Sequence, residues 1–154
     1  MDLRELYQDV ILDHARHPRN FRGLPDPSHL AHGHNPLCGD RVTIFMKIES
    51  GRIADVSFDG RGCAISTASA SLMTEILMGL TPEQGEQVFA AFHARVTSGD
   101  TLVLAPELED AAERLEPLTG VRGYPARVKC ATLAWHAFDA ALKNGVPGDT
   151  VKTE

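Results

Sequence analysis

Residues 42–63, VTIFMKIESGRIADVSFDGRGC, contain the strongest secondary-structure pattern in the sequence. Apolar side chains recur at every second position from Val42 to Ile48, which is the period of a half-buried β-strand. Ser50-Gly51 turns the chain and a second apolar run continues to Phe58, so the segment predicts a β-hairpin. A glycine-containing turn, residues 59–62, then delivers Cys63 to the start of a helix.

The segments on either side of this hairpin are predicted to be mainly helical. Apolar residues at helical spacing predict an amphipathic helix over residues 2–16. Residues 17–37 carry four prolines and predict an extended loop, with a further strand around 23–32 that pairs with the hairpin. Helices are expected from Cys63 to Gly79, from Thr81 onward, over 107–116 and over about 126–143, where Gly145 ends the last one.

This order of a helix, a small antiparallel sheet and several further helices predicts an α+β fold. The 154 residues fit one domain, assigned to residues 1–145, and residues 146–154 are expected to form a flexible C-terminal tail. Trp135 and Phe138 are predicted core residues of the last helix.

The composition excludes several classes of partner. Fifteen lysines and arginines against 21 acidic residues give a net charge of −6, whereas nonspecific nucleic-acid or anionic-membrane binding requires a basic surface. No apolar run approaches the roughly 20 residues that span a bilayer. We therefore expect a soluble, cytoplasmic protein that binds neither nucleic acid nor membrane.

Three cysteines, Cys38, Cys63 and Cys130, are the informative feature of the composition. An odd number cannot form a closed disulfide framework and indicates metal or thiol chemistry. Cys38 follows a proline-rich loop, Cys63 lies at a strand-to-helix turn, and Cys130 is predicted in the first turn or so of the last helix. A helix N-terminus stabilises a thiolate, which favours this chemistry at Cys63 and Cys130.

Cys38-Gly39-Asp40 places a thiol and a carboxylate two residues apart, on one face if the segment is a strand. Together with Cys63 and Cys130 they form a possible four-ligand Cys3Asp site, suited to tetrahedral Zn²⁺ or to iron. A carboxylate among thiolates makes such a site more exchangeable. The alternative is that each cysteine is a small buried hydrophobic residue, and no Cys-x-x-Cys motif decides between the two.

Charged and titratable residues near the last cysteine suggest further roles. Residues 118–135 contain three basic residues and no acidic one: Arg122, Arg127 and Lys129. The cations that precede Cys130 could favour its thiolate or steer a partner. The alternative is that they are ordinary surface residues. His14 is expected to pack at the end of the first helix, and His32 and His34 to form hydrogen bonds in the loop rather than to bind metal. No motif places a histidine beside Cys38, which argues against a cysteine hydrolase.

Four groups of residues together resemble the IscU/NifU-like iron–sulfur cluster assembly family. They are YQDVILDH (residues 7–14) with HPRN (17–20), NPLCGD (35–40), GRGCAIS (60–66) and Lys129-Cys130. The resemblance extends from residue 3 to about residue 143. Two features resemble the SufU branch of the family. Cys63 and Cys130 are 67 residues apart, and Lys129 stands where IscU proteins carry histidine.

The resemblance implies a three-stranded antiparallel sheet packed against helices and a metal site formed by Cys38, Asp40, Cys63 and Cys130. For SufU-like members it implies bound zinc, with Cys38 accepting persulfide sulfur from a pyridoxal-phosphate-dependent cysteine desulfurase of the SufS/IscS type. For IscU-like members it implies a scaffold on which a [2Fe–2S] cluster is assembled and passed to a recipient protein. A structural zinc-binding adaptor without sulfur chemistry is the remaining alternative.

Overall fold

The fold consists of one β-sheet and several helices. The computed structural model describes residues 3–144 and 149–152. The elements are α1 (Leu3–Arg16), β1 (His29–Asn35), β2 (Asp40–Glu49), β3 (Arg52–Arg61), α2 (Ala64–Leu77), α3 (Pro82–Ser98), α4 (Glu109–Leu115), α5 (Pro125–Asn144) and β4 (Asp149–Lys152). Short 3₁₀ helices, Pro106–Leu108 and Glu116–Gly123, flank α4. None of the described helices combines the length and the apolar character needed to cross a membrane.

The sheet has the strand order β3-β2-β1-β4. The β1–β2 and β2–β3 pairs are antiparallel, which confirms the predicted three-stranded antiparallel sheet and the α+β class. The hairpin turns at Ser50 and Gly51, both with positive φ, as a tight two-residue connection requires. Val42, Ile44 and Met46 are buried, as their alternation predicts, while the residues between them are only partly covered.

The structure corrects the predicted boundaries in three places. The strand expected around 23–32 is β1, which begins later, at His29. His32 and His34 therefore lie in this strand and not in the predicted loop. Gly60 and Arg61, predicted in a turn, still belong to β3. Residues 149–152, assigned to a flexible tail, instead form β4, which pairs in parallel with β1. Gly145, the predicted helix stop, lies outside the described residues.

The core lies between one face of the sheet and the helices. Helices α2 and α5 pack on this face, and α1 packs on α2. Trp135 and Phe138 are fully buried, as predicted. His14 is also buried, with its Nδ1 2.7 Å from Ser71 Oγ, which confirms its predicted packing role; burial is the main reason that the pKa of this ring is lowered. α2, which begins beside Cys63, is thereby fixed on both sides.

Gly60 permits a close approach of β3 to β2 beside the cysteines. Its φ is +138°, and a Cβ there would collide with the Arg41 carbonyl oxygen. We expect Gly60→Ala to lower the free energy of unfolding by about 2–4 kcal/mol, because strain and collision act together. Urea denaturation measures this. Gly23→Ala, which meets nothing within 4 Å, is the control, and equal effects of the two variants would contradict the argument.

Candidate metal centre

Cys38 lies in an exposed turn between β1 and β2. The buried Asn35 holds this turn, since its Oδ1 accepts the Leu37 N–H at 3.1 Å and its carbonyl oxygen accepts the Gly39 N–H at 2.8 Å. Gly39 has a φ of +80°, a conformation that favours glycine. Cys38 therefore lies in a turn, whereas the prediction that Cys38 and Asp40 share one face assumed a strand. The turn at Gly39 brings its thiol near Asp40 instead.

Asp40, the first residue of β2, is the buried carboxylate of the site, with 4% of its surface exposed. Its Oδ1 accepts the Cys63 N–H at 3.0 Å, and its Oδ2 lies 3.7 Å from the Cys63 Sγ. A buried carboxylate requires such partners, because burial without them is costly. Asp40 thus joins the start of β2 to the start of α2.

Cys63 caps the N-terminus of α2. Its Sγ accepts the Ser66 N–H at 3.4 Å, and the residue itself has extended backbone angles. The sequence prediction that Cys63 begins a helix is confirmed. The thiol is exposed yet held by the helix, in contrast to Cys38, whose Sγ has a described contact only with Cys130.

Cys130 lies deeper than the sequence predicts. Helix α5 begins at Pro125, so Cys130 lies in its second turn. Only 8% of the surface of Cys130 is exposed. Burial, followed by the adjacent Asp40 and Cys63, raises the pKa of the Cys130 thiol above its ordinary value. At Cys130, burial therefore opposes the stabilisation of a thiolate that was expected from a helix N-terminus.

Three of these four side chains place their donor atoms close together. The donor atoms of Cys38, Asp40 and Cys130 lie within 4.8 Å of one another, and Cys63 adjoins them through Asp40. The Cys38 and Cys130 sulfurs are 3.8 Å apart. Two thiolates on one tetrahedral zinc, with Zn–S bonds of about 2.3 Å, are separated by about 3.8 Å. The donor set and its spacing therefore fit a thiolate-rich metal site.

The two predicted basic residues lie beside this centre. Arg127 is exposed, and its guanidinium lies 4.7 Å from the centre of the Tyr124 ring, a cation–π arrangement. Lys129 is partly buried in α5. Neither has a described contact with a cysteine sulfur.

A groove of about 1170 Å³ adjoins Cys63, between α1 and the segment that leads into α5. Apolar side chains dominate its lining, and Leu12 and Tyr124 in it are 40% and 56% exposed. Its charged side chains within the described chain are Arg4 and Arg127. The amino-acid sequence does not reveal this groove, because helical spacing does not distinguish an apolar residue that faces a groove from one that faces the core.

Residues 6–91 match the family model described as the NifU-like N terminal domain. This match covers more than half of the chain. The chain belongs to the NifU-like family of iron–sulfur cluster assembly proteins. The zinc-dependent sulfurtransferase SufU of Bacillus subtilis (strain 168) is 37% identical over 143 residues, 92% of each chain. The iron–sulfur cluster assembly scaffold protein IscU of Streptococcus pyogenes serotype M1 is 36% identical over 141 residues, 92% of this chain and 85% of the relative.

Solved structures of NifU-like proteins agree with this assignment. A putative iron–sulfur cluster assembly scaffold protein for the SUF system from Fervidobacterium islandicum AW-1 has a TM-score of 0.79 at 28% identity. The match covers 92% of this chain and 99% of that one. The predicted membership in the IscU/NifU-like family, and in its SufU-like branch, is confirmed. NifU-like proteins serve iron–sulfur cluster assembly, and Cys38, Asp40 and Cys130 of this chain form a group that could hold a metal ion.

Proposed function

We propose that the chain is a zinc-binding sulfur acceptor of the SufU type, which receives persulfide sulfur on Cys38 from a cysteine desulfurase. The observation that carries the proposal is the 3.8 Å approach of the exposed Cys38 sulfur to the buried Cys130 sulfur beside Asp40. The name of the Bacillus subtilis relative supports zinc and sulfur transfer as the specific activity.

Cys38, Asp40, Cys63 and Cys130 are the proposed zinc ligands. Zinc, when bound, keeps its cysteine ligands deprotonated at neutral pH. The protein supplies the rest: α2 holds Cys63, α5 holds Cys130, and the Cys63 N–H orients the Asp40 carboxylate. A single carboxylate among thiolates gives a site that binds metal yet remains exchangeable.

Cys38 is the proposed acceptor because of its position. Cys130 is buried and Cys63 is engaged as a helix cap, whereas Cys38 lies in an exposed turn next to Leu37, which is 70% exposed. Cys38 is therefore open to a partner that approaches this turn.

The sulfur-transfer step is a thiolate–persulfide exchange. The Cys38 thiolate attacks the outer sulfur of the desulfurase persulfide, a new S–S bond forms on Cys38, and the original S–S bond breaks. The desulfurase cysteine leaves as a thiolate, and the persulfide proton stays on the transferred sulfur. No external oxidant or reductant is consumed. The product is Cys38 persulfide, ready for a downstream assembly protein.

The groove beside Cys63 is the proposed docking site for the desulfurase. It is continuous with the metal centre and is lined by Arg4 and Arg127 without an acidic side chain among the described residues. In a chain of net charge −6, a groove with only positive charges favours a partner segment that is apolar and acidic. Arg127 is therefore assigned to partner recognition. Lys129, two residues further along α5, is assigned to the same role.

Reversing the charge of Arg127 tests this docking site. We expect Arg127→Glu to slow sulfur transfer from the desulfurase by about tenfold at low salt, with unchanged zinc content, because a like charge then faces the partner. Transfer rates measured over a range of salt concentrations report this. Lys47→Glu, on the outer face of the sheet, is the control, and equal slowing in both variants would contradict the assignment.

The alternative function is an IscU-type scaffold that assembles a [2Fe–2S] cluster. It is favoured by relatives named as scaffolds and by a thiolate-rich donor set that also binds iron. Elemental analysis and an absorption spectrum of the purified protein distinguish the two. We expect about one zinc per chain and no visible band; a brown protein that contains iron and sulfide would support the scaffold instead.

The proposed location is the cytoplasm. Reducing conditions there keep cysteines free, as the proposed chemistry of Cys38, Cys63 and Cys130 requires.

A further inference from the structure

A second cluster of titratable side chains lies away from the cysteines, in a groove of about 420 Å³ between α3 and α5. Its titratable members are Glu86, His93, His136, Asp139 and Lys143. His136 follows Cys130 by six residues in the same helix, which moves it about 9 Å along the axis and onto a different face. The groove is therefore separate from the metal centre described above.

Two histidines meet across the helix pair in this groove. The ring centres of His93 and His136 are 5.4 Å apart and the rings are nearly perpendicular. Phe89 packs edge-on against both, with its ring centre 5.8 Å from that of His93 and 5.1 Å from that of His136. Two imidazoles that share a tetrahedral metal with bonds of about 2.0–2.1 Å have ring centres roughly 5 Å apart. The pair is thus already close to ligand spacing.

The surroundings keep His136 able to act as a ligand. Burial, and then the neighbouring His93, lower the pKa of His136. Its neutral ring, which carries the lone pair that a metal needs, is therefore favoured at neutral pH. Phe89 restricts the position of both rings, so less conformational freedom remains to be lost when a metal binds.

Two carboxylates line the same groove. Asp139 lies three residues after His136, on the same face of α5, and its Oδ2 accepts a hydrogen bond from Lys143 Nζ at 2.8 Å. Glu86 lies seven residues before His93, two turns away on the same face of α3. One helix pair therefore presents two imidazoles and two carboxylates to a single groove.

We propose that His93 and His136 bind a divalent first-row transition metal at a site independent of the cysteines, and that the Asp139 carboxylate turns from Lys143 to become the third ligand when the metal binds. Among the described residues three ligand atoms already converge only at the cysteine centre, so this second site is completed by the metal. Nitrogen and oxygen donors without sulfur suit Zn²⁺, Co²⁺, Ni²⁺ or Cu²⁺, and two imidazoles select against Mg²⁺ and Ca²⁺. Lys143 competes with the metal for Asp139, which makes this the weaker of the two sites.

Cobalt titration of the full chain tests the proposal, because Co²⁺ reports its ligands by absorption. Cobalt bound through thiolates gives sulfur-to-metal charge-transfer bands, whereas cobalt bound by histidine and carboxylate gives ligand-field bands alone. We expect two equivalents to bind to the wild type, the second without added charge-transfer absorption. His136→Ala and His93→Gln should each lose the second equivalent, and the exposed His17→Ala should retain it.

Lys143→Ala separates ligation from a purely structural role of the aromatic cluster. Removal of the ammonium frees Asp139, so the second cobalt should bind several-fold more tightly while the melting temperature stays within a few degrees of the wild-type value. A wild type that binds a single equivalent would overturn the proposal. So would a second equivalent that persists in His136→Ala, or an affinity that Lys143→Ala leaves unchanged.

Discussion

Cys38→Ala is expected to reduce sulfur acceptance from a cysteine desulfurase to background, a loss of at least about 100-fold. The reason is that the thiolate is the nucleophile and the other two sulfurs are engaged, Cys130 by burial and Cys63 by its helix cap. Desulfurase turnover, followed by alanine and sulfide production in the presence of the chain, measures the effect. Asp40, Cys63 and Cys130 remain, so the variant should still bind zinc, although more weakly.

The structural-adaptor alternative predicts a different result for the same variant. In that case Cys38→Ala would lower the melting temperature as much as Cys63→Ala and leave desulfurase turnover unchanged. The structure favours a smaller stability effect at Cys38, because this residue lies in an exposed turn, whereas Cys63 caps α2. A comparison of the melting temperatures and turnover rates of the two variants separates the alternatives.

Asp40→Asn is expected to weaken zinc binding by about 10- to 100-fold while the fold is preserved. The amide oxygen of asparagine can still accept the Cys63 N–H, which Asp40 Oδ1 accepts at 3.0 Å, but the variant lacks the negative charge that a buried ligand contributes. Competition with a chelator of known affinity measures the loss, and thermal unfolding of the metal-free protein checks the fold.

Asp59→Asn is the matched control for Asp40→Asn, because it removes the same charge from β3 rather than from the centre. We expect its zinc affinity to remain within about twofold of the wild-type value. Equal affinities of Asp40→Asn and the wild type would show that Asp40 is not a ligand, and would reduce the centre to its three cysteines.

The sequence predicted those parts of the fold that depend on local patterns. Alternation identified β2 and β3, and Ser50-Gly51 identified their turn. Strand β4 was missed because it pairs with β1, more than 100 residues away, and no local pattern records that pairing.

The candidate site was predicted for reasons that are partly different from those observed. Cys38 and Asp40 were expected together by strand alternation, yet the positive φ of Gly39 is what unites them. Cys130 was expected to feel a helix N-terminus, but it lies in the second turn of α5 and is only 8% exposed, so burial dominates its pKa. His93 and His136 are 43 residues apart on different helices, so only the packing of α3 on α5 reveals their contact.

The proposed metal centre has to hold a metal ion and also to accept sulfur, and its side chains divide these two roles. Three of its four side chains are fixed by elements of the fold: Asp40 by β2, Cys63 by α2 and Cys130 by α5. Cys38 alone belongs to an exposed turn. The division between fixed ligands and an accessible thiol is the physical basis of the proposed function.

The most direct test is the mass of the zinc-loaded chain after brief incubation with the cognate desulfurase and cysteine, followed by peptide mapping under non-reducing conditions. We predict the addition of one sulfur atom, located on the peptide that contains Cys38 and removed by a reducing agent. Sulfur found on Cys63 or Cys130 instead, or no added sulfur while the desulfurase is active, would contradict the account.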